Sequence, residues 1–93
     1  MTIIIKFIGS LRKDSGAKEI KIDAKKEALI DLINKMTKQN PALRRNLLDE
    51  QIGTPKPNAL ILVNGKEISV LDGLETKVKD GDEIVFVPVV HGG

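Results

Sequence analysis

Glu83-Ile84-Val85-Phe86-Val87-Pro88-Val89-Val90-His91-Gly92-Gly93 closes the sequence. From Ile84 to Val87 the residues are β-branched or aromatic at both alternating positions, the pattern of a strand in the middle of a sheet. Pro88 cannot donate to a ladder and ends the pairing. Two glycines follow. Without a Cβ they make a slim, pliable tail, able to leave a folded body and enter the active site of another protein. The α-carboxylate of Gly93 is then the group on which any chemistry falls.

The other end of the chain has the same character. Thr2 to Ile8 reads Thr-Ile-Ile-Ile-Lys-Phe-Ile, again apolar at both parities. Lys18 to Asp23 alternates, with Ile20 and Ile22 on one face and charges on the other, so the first two strands form a hairpin across a polar connection from Gly9 to Ala17. Asp23 is a candidate N-cap for a helix from about Ala24 to Gln39. Leu29, Leu32, Ile33 and Met36 form one apolar stripe on it. Asn40-Pro41 supplies an N-cap and a proline at the first helical position of a second, short helix carrying Leu43, Leu47 and Leu48. Asp49 to Asn58 reads as a loop stiffened by Pro55 and Pro57. Ala59 to Val63 is a strand, and Asn64-Gly65 is a tight-turn signal returning the chain through Lys66 to Ser69. Leu71-Asp72-Gly73-Leu74 is a turn that drops two leucines onto the core. Lys79-Asp80-Gly81-Asp82 is a turn before the final strand.

This order of elements predicts an α+β fold with a helix over one face of a sheet. If the two-sided strands at the two ends of the chain are neighbours at the sheet centre, the first and last strands run parallel. A right-handed crossover then lays the helix over the sheet. That is a β-grasp, or ubiquitin-like, arrangement: a mixed sheet of about four to five strands on one main helix plus a short second helix. The expected organisation is a β-grasp domain over residues 1–88 and a flexible C-terminal tail over residues 89–93.

Composition narrows the function. Ninety-three residues, 41% hydrophobic and 30% charged, make one small domain with a single core. The net charge of +2 is too near balance for a binder driven by phosphate neutralisation. Phe7 and Phe86 are the only aromatic residues, so there is no stacking platform for single strands. No direct nucleic-acid partner is expected. No apolar run is long enough to span a membrane, the first residues do not read as a signal peptide, and a cytoplasmic location is the default expectation. There is no cysteine. Disulfides, thiolate metal sites and thiol nucleophiles are excluded, and any sulfur carried by this chain has to ride on its terminal carboxyl group.

Val63-Asn64-Gly65-Lys66, Leu71-Asp72-Gly73-Leu74-Glu75-Thr76, Lys79-Asp80-Gly81-Asp82-Glu83-Ile84 and Val87-Pro88-Val89-Val90-His91-Gly92-Gly93 occur in this order. In that order they resemble the sulfur-carrier and small-modifier family. Its members include the small subunit of molybdopterin synthase, the thiamine sulfur carrier and the small archaeal ubiquitin-like modifiers. The resemblance covers nearly the whole chain. At the tail, His91 stands where the molybdopterin subunits have a small residue, and His-Gly-Gly is more similar to the eukaryotic ubiquitin-related modifier of tRNA thiolation.

The resemblance implies that a ubiquitin-activating-type adenylyltransferase uses ATP to adenylate Gly93. A sulfurtransferase then converts it to a thiocarboxylate for molybdopterin (molybdenum cofactor) synthesis or tRNA thiolation. Gly92 is the tail residue required for activation, and Pro88, Val90 and His91 are the expected partner contacts. A molybdopterin synthase large subunit, or lysines of substrate proteins, are the further partners that the resemblance leaves open. Conjugation through Gly93 to lysines of substrate proteins is an alternative, and a non-covalent interaction module is a second one. The chain itself is not expected to be an enzyme, to bind a cofactor or to hold a metal. It has no phosphate loop around Gly65-Lys66 and no Ser-His-Asp constellation. One histidine without cysteine cannot close a metal site, and Asp80, Asp82 and Glu83 lack calcium-loop spacing. Lys25-Lys26 and Arg44-Arg45 read as solvated faces.

Overall fold

The computed structural model describes residues 2–50 and 53–89. In chain order the elements are β1 (Ile3–Phe7), α1 (Leu11–Ser15), β2 (Glu19–Ile22), β3 (Glu27–Ala28), α2 (Leu29–Thr37) and α3 (Pro41–Leu47). They continue as β4 (Leu48–Asp49), β5 (Lys56–Pro57), β6 (Ala59–Val63), β7 (Lys66–Glu67), β8 (Lys77–Val78) and β9 (Glu83–Pro88). Short 3₁₀ turns lie at Ile68–Val70 and Gly73–Glu75.

The main sheet has the order β2-β1-β9-β6-β7. β1 and β9 run parallel, with Ile5 opposite Ile84 and Phe7 opposite Phe86. β1–β2 and β6–β9 are antiparallel. The terminal strands are therefore central neighbours, as the sequence predicts, and the fold is the ubiquitin-like β-grasp. Their burial differs from the expected two-sided cover. Ile3, Ile5, Phe7, Ile84 and Phe86 are at most 1% exposed and pack against the helices. Ile4, Lys6, Val85 and Val87, at the alternate positions, are only partly buried. No helix among the described residues covers that second face.

The apolar stripe of α2 is as expected: Leu29, Leu32 and Ile33 are fully buried and Met36 packs at the edge of the core. The predicted start of the helix is corrected. Residues 24–28 are not helical: Lys26 is a bend, Glu27–Ala28 form β3, and the cap is Ala28 in a β conformation with no side-chain bond, not Asp23. The reason is tertiary. Glu27 and Ala28 pair with Val78 and Lys77, the Ala24 N–H reaches Asp80 Oδ1 at 3.3 Å, and the Leu29 N–H donates to the Thr76 carbonyl at 2.8 Å. A carbonyl from β8's approach thus satisfies one of the first N–H groups that the helix leaves without an intrahelical partner. The helix also ends earlier, at Thr37, whose hydroxyl donates to the Ile33 carbonyl at 2.7 Å.

Asn40 caps α3 as predicted, accepting from the Leu43 N–H at 3.1 Å, with Pro41 in the first turn. Leu48 is buried, but in β4 rather than in the helix. Its strand pairs Leu48 with Pro57 and Asp49 with Lys56, giving the expected loop an internal bridge. The connection from Gly9 to Ala17 holds α1, closed by a left-handed Gly16 whose N–H bonds the Arg12 carbonyl. Leu11 anchors it at 1% exposure. Asn64 and Gly65 both have positive φ, 51° and 82°, as the tight turn requires. The returning strand β7 is only two residues long before Ile68 enters a 3₁₀ turn and is buried. Leu71 and Leu74 pack against the core as expected.

Candidate docking face and tail exit

Side chains alternate across a strand, so the ladder registers map the uncovered face of the sheet residue by residue. One cross-sheet row is Glu19–Lys6–Val85–Leu62–Glu67. Beside it, away from the tail, lies the row Lys21–Ile4–Glu83. On the tail side Val87 faces Leu60, and Ile8 joins them, its N–H bonded to the Phe86 carbonyl at 3.0 Å. The face is thus divided. Leu62, Val85, Val87, Leu60 and Ile8 make an apolar zone at the end where β9 stops. Lys21, Lys6, Glu19 and Glu83 make a charged corner at the opposite side.

Leu60 is 38% exposed, Ile8 37% and Val89 48%. Few large apolar side chains are this accessible in the described residues, and three of the four are at the exit of β9. A clustered apolar zone of this kind, rimmed by charge, is the usual mark of a protein interaction surface. At the charged corner Lys6 Nζ meets Glu83 Oε2 at 2.9 Å. The hydrogen bond to Glu83 and the charge of Glu83 raise the Lys6 ammonium above its ordinary value, with desolvation opposing and Glu19 reinforcing.

Of the predicted site residues, Pro88 is described and stands at the last bridge of β9, opposite Ala59. It is half-buried. Its parity directs it to the helix side, and it lines a groove of about 320 Å³ with Ser10, Leu11, Lys13, Asn46 and Val89. Asp14 crosses this groove, with Asn46 Nδ2 donating to its Oδ2 at 2.6 Å. Val90, His91, Gly92 and Gly93 lie outside the described residues. Among the described residues, no group of three or more His, Cys, Asp or Glu side chains could hold a metal ion. No described helix is long and apolar enough to cross a membrane.

Sequence reasoning missed Ile8, Leu60 and Gly9. The signal for Leu60 was present: Ala59-Leu60-Ile61-Leu62-Val63 is apolar at both parities, and only one parity is needed for a core. Gly9 gave no such signal, because its significance is a contact with Pro88, at the other end of the chain.

The ThiS family model matches residues 5–93. Small archaeal modifier protein 3 of Haloferax volcanii is 30% identical over 94 aligned residues, covering 100% of both chains. A putative sulfur carrier protein of Archaeoglobus fulgidus is 36% identical over 80 residues, 81% of this chain and 84% of that one. The solution structure of small archaeal modifier protein 1 from Methanosarcina acetivorans superposes with a TM-score of 0.83 at 32% identity, covering 99% of this chain and 96% of that one. With a family match across nearly its whole length, on a ubiquitin-like body, the chain belongs to the ThiS family of ubiquitin-like sulfur carriers and modifiers.

Proposed function

We propose that this protein carries sulfur on the α-carboxyl group of Gly93. That group is an anion at neutral pH and a poor electrophile. In the site of a ubiquitin-activating-type adenylyltransferase, one of its oxygens attacks the α-phosphate of ATP and pyrophosphate leaves. The product is a mixed anhydride with AMP. The outer sulfur of a sulfurtransferase persulfide adds to the acyl carbon and AMP departs, leaving an acyl disulfide. A second thiol then attacks the sulfurtransferase sulfur, forms a disulfide with it and releases the thiocarboxylate. Molybdopterin synthesis or tRNA thiolation consumes that sulfur. The chain supplies the carboxylate and the docking surface, and the partner supplies the nucleotide site and the catalytic groups. With no cysteine in the sequence, a side-chain persulfide is not an alternative carrier.

The observation that carries this reading is the position of the apolar zone. Leu60, Leu62, Val85, Val87 and Ile8 surround the end of the strand from which the tail leaves. A partner that covers them stands beside the tail. Strand β9 is held on both sides, by β1 and β6, so the docked body aims the tail from a rigid base. A relative named as a sulfur carrier, similar over most of this chain, supports the same reading.

The test is ATP–pyrophosphate exchange with the cognate adenylating enzyme, together with the intact mass of the protein from its own cell. Removal of Gly93 abolishes exchange and Gly92→Ala slows it. The cellular protein carries one sulfur in place of a C-terminal oxygen. Undiminished exchange by the shortened chain overturns the reading.

A second reading is favoured by the relative named as a small archaeal modifier, similar over the full length. In it the acyl adenylate passes to an enzyme thiol and then to a lysine amine, forming an isopeptide bond through Gly93. Gly-Gly remnants on lysines of other proteins, absent from a strain lacking the two glycines, are its signature. Both fates share the adenylate, so both can occur in one protein.

A further inference from the structure

Gly9 follows β1 with φ of 57°, in the left-handed region. Because β1 and β9 are parallel and in register, with Phe7 opposite Phe86, this turn lies beside the end of β9. A Cβ at Gly9 would stand 3.2 Å from Pro88 Cγ and 3.8 Å from Pro88 Cδ. The missing side chain is therefore the space into which the Pro88 ring fits.

Which partner yields to an added methyl group is decided by what holds each. The turn is pinned. Ile8 N–H bonds the Phe86 carbonyl at 3.0 Å, Leu11 N–H the Ile8 carbonyl at 3.2 Å, and Arg12 N–H the Gly9 carbonyl at 3.1 Å. Arg12 Nε–H adds a bond to the Phe7 carbonyl at 3.0 Å, and Leu11 is buried behind the turn. Pro88 has no N–H to contribute. It sits at the final bridge of its strand, and the next residue, Val89, is 48% exposed. Pressure from position 9 therefore moves Pro88 and Val89 and leaves the turn in place.

We propose that Gly9 is a positioning residue that sets the direction in which the chain leaves the sheet at Pro88 and Val89. This rests on the reading of Gly93 as the reacting group, since a tail that leaves at the wrong angle delivers that carboxylate off line. At 3.2 Å the Pro88 ring has to give by a few tenths of an ångström, and since a misplacement of about 1 Å costs roughly a hundredfold in rate, a shift of that size costs roughly several-fold. The sheet residues of the docking face, Leu60, Leu62, Val85 and Val87, keep their places and only Val89 at its edge shifts, so the effect falls mainly on turnover rather than on binding.

The test compares Gly9→Ala with Gly16→Ala. Gly16 also has a left-handed backbone, with φ of 80°, but a Cβ there meets nothing within 4 Å. It therefore reports the backbone strain without the contact. In pyrophosphate exchange Gly9→Ala is expected to lower kcat roughly three- to fivefold with KM changed less than about twofold, and Gly16→Ala to leave both in place. In residual dipolar couplings the Val89 N–H vector turns relative to the sheet in Gly9→Ala and keeps its wild-type orientation in Gly16→Ala. An unchanged Val89 coupling in folded Gly9→Ala overturns the proposal, as does an equal loss of kcat in both variants. If Gly9→Ala does not fold, Pro88→Ala is added to it: recovery of the fold supports the contact, and persistent unfolding overturns it. Wild-type protein inert in exchange with its adenylating enzyme would count against the role of Gly93, while the coupling experiment still decides the geometry.

Discussion

Phe7 and Phe86 stack across the parallel β1–β9 ladder, with ring centroids 5.7 Å apart and planes 16° from parallel. They are the only aromatic side chains in the sequence, and both are buried at 1% exposure or less. Each lies near the tail end of its strand, Phe7 just before the turn at Gly9 and Phe86 just before Pro88. Phe86→Ala is expected to destabilise the fold by about 3–5 kcal/mol. That is a large share of the roughly 5–15 kcal/mol that holds a domain together. Urea denaturation checks it, and a loss below about 1 kcal/mol would mean that the ring is not a central part of the core.

Asn64 ties two turns together. Its Nδ2 donates to Asp82 Oδ1 at 2.9 Å and its Oδ1 accepts from the Glu83 N–H at 2.9 Å. The second oxygen of Asp82 accepts from the Lys79 N–H at 2.9 Å. Asp82 is 8% exposed, so its carboxylate depends on these donors. Asn64→Ala removes both side-chain bonds and strains the positive φ. A loss of about 1–3 kcal/mol is expected. Asn64→Gly relieves the backbone but restores no bond, so it is expected to recover only part of the loss. Equal stability of Asn64→Gly and wild type in denaturant melts would remove the side-chain bonds from the account.

These two examples mark what was legible in the sequence. Asn64-Gly65 and Asn40-Pro41 were readable because turn and cap chemistry is local: the residues that need the special backbone also supply it. The stripe on α2 was readable because a helix repeats its core face at fixed spacing. The start of α2 was not, because it depends on Glu27 and Ala28 pairing with a strand far along the chain. The helix α1 was not, because Leu11 alone anchors it and one apolar residue makes no period. The docking face needed the register of four ladders, which no local pattern states. The tail was read from the sequence alone, and its terminal residues lie outside the described structure.

Lys6 provides a pH test. Glu83, by hydrogen bond and by charge, raises the Lys6 ammonium above its ordinary value. A basic group raised by folding stabilises the fold while it is protonated. The contribution is complete below the unfolded lysine value and is lost as pH rises through the raised folded value. Wild type is therefore expected to lose a small increment of stability relative to Lys6→Met in strongly alkaline solution, while the difference between the two stays constant around neutrality. The increment is small because both side chains are 43% exposed and water screens the pair. Thermal melts across the alkaline range check it. A difference that stayed constant through the alkaline range would remove the Lys6–Glu83 pair from the account.

Leu60 separates folding from docking. At 38% exposure on the uncovered face it stands opposite Val87, one row from the exit of β9. The core-facing residues of its strand are Ala59, Ile61 and Val63, so a charge at position 60 meets solvent and not the core. Leu60→Lys is expected to change stability by no more than about 0.5 kcal/mol. At the centre of an apolar interface the same charge is buried against the partner without a counter-ion, and affinity for the adenylating enzyme is expected to fall about thirtyfold or more. Lys21→Ala, at the charged corner, provides the contrast: rim charges contribute little affinity, and a change of less than about threefold is expected. Titration calorimetry with both variants reads the map directly. If Lys21→Ala weakens binding and Leu60→Lys does not, the partner covers the charged corner, and the tail leaves from the far side of the interface.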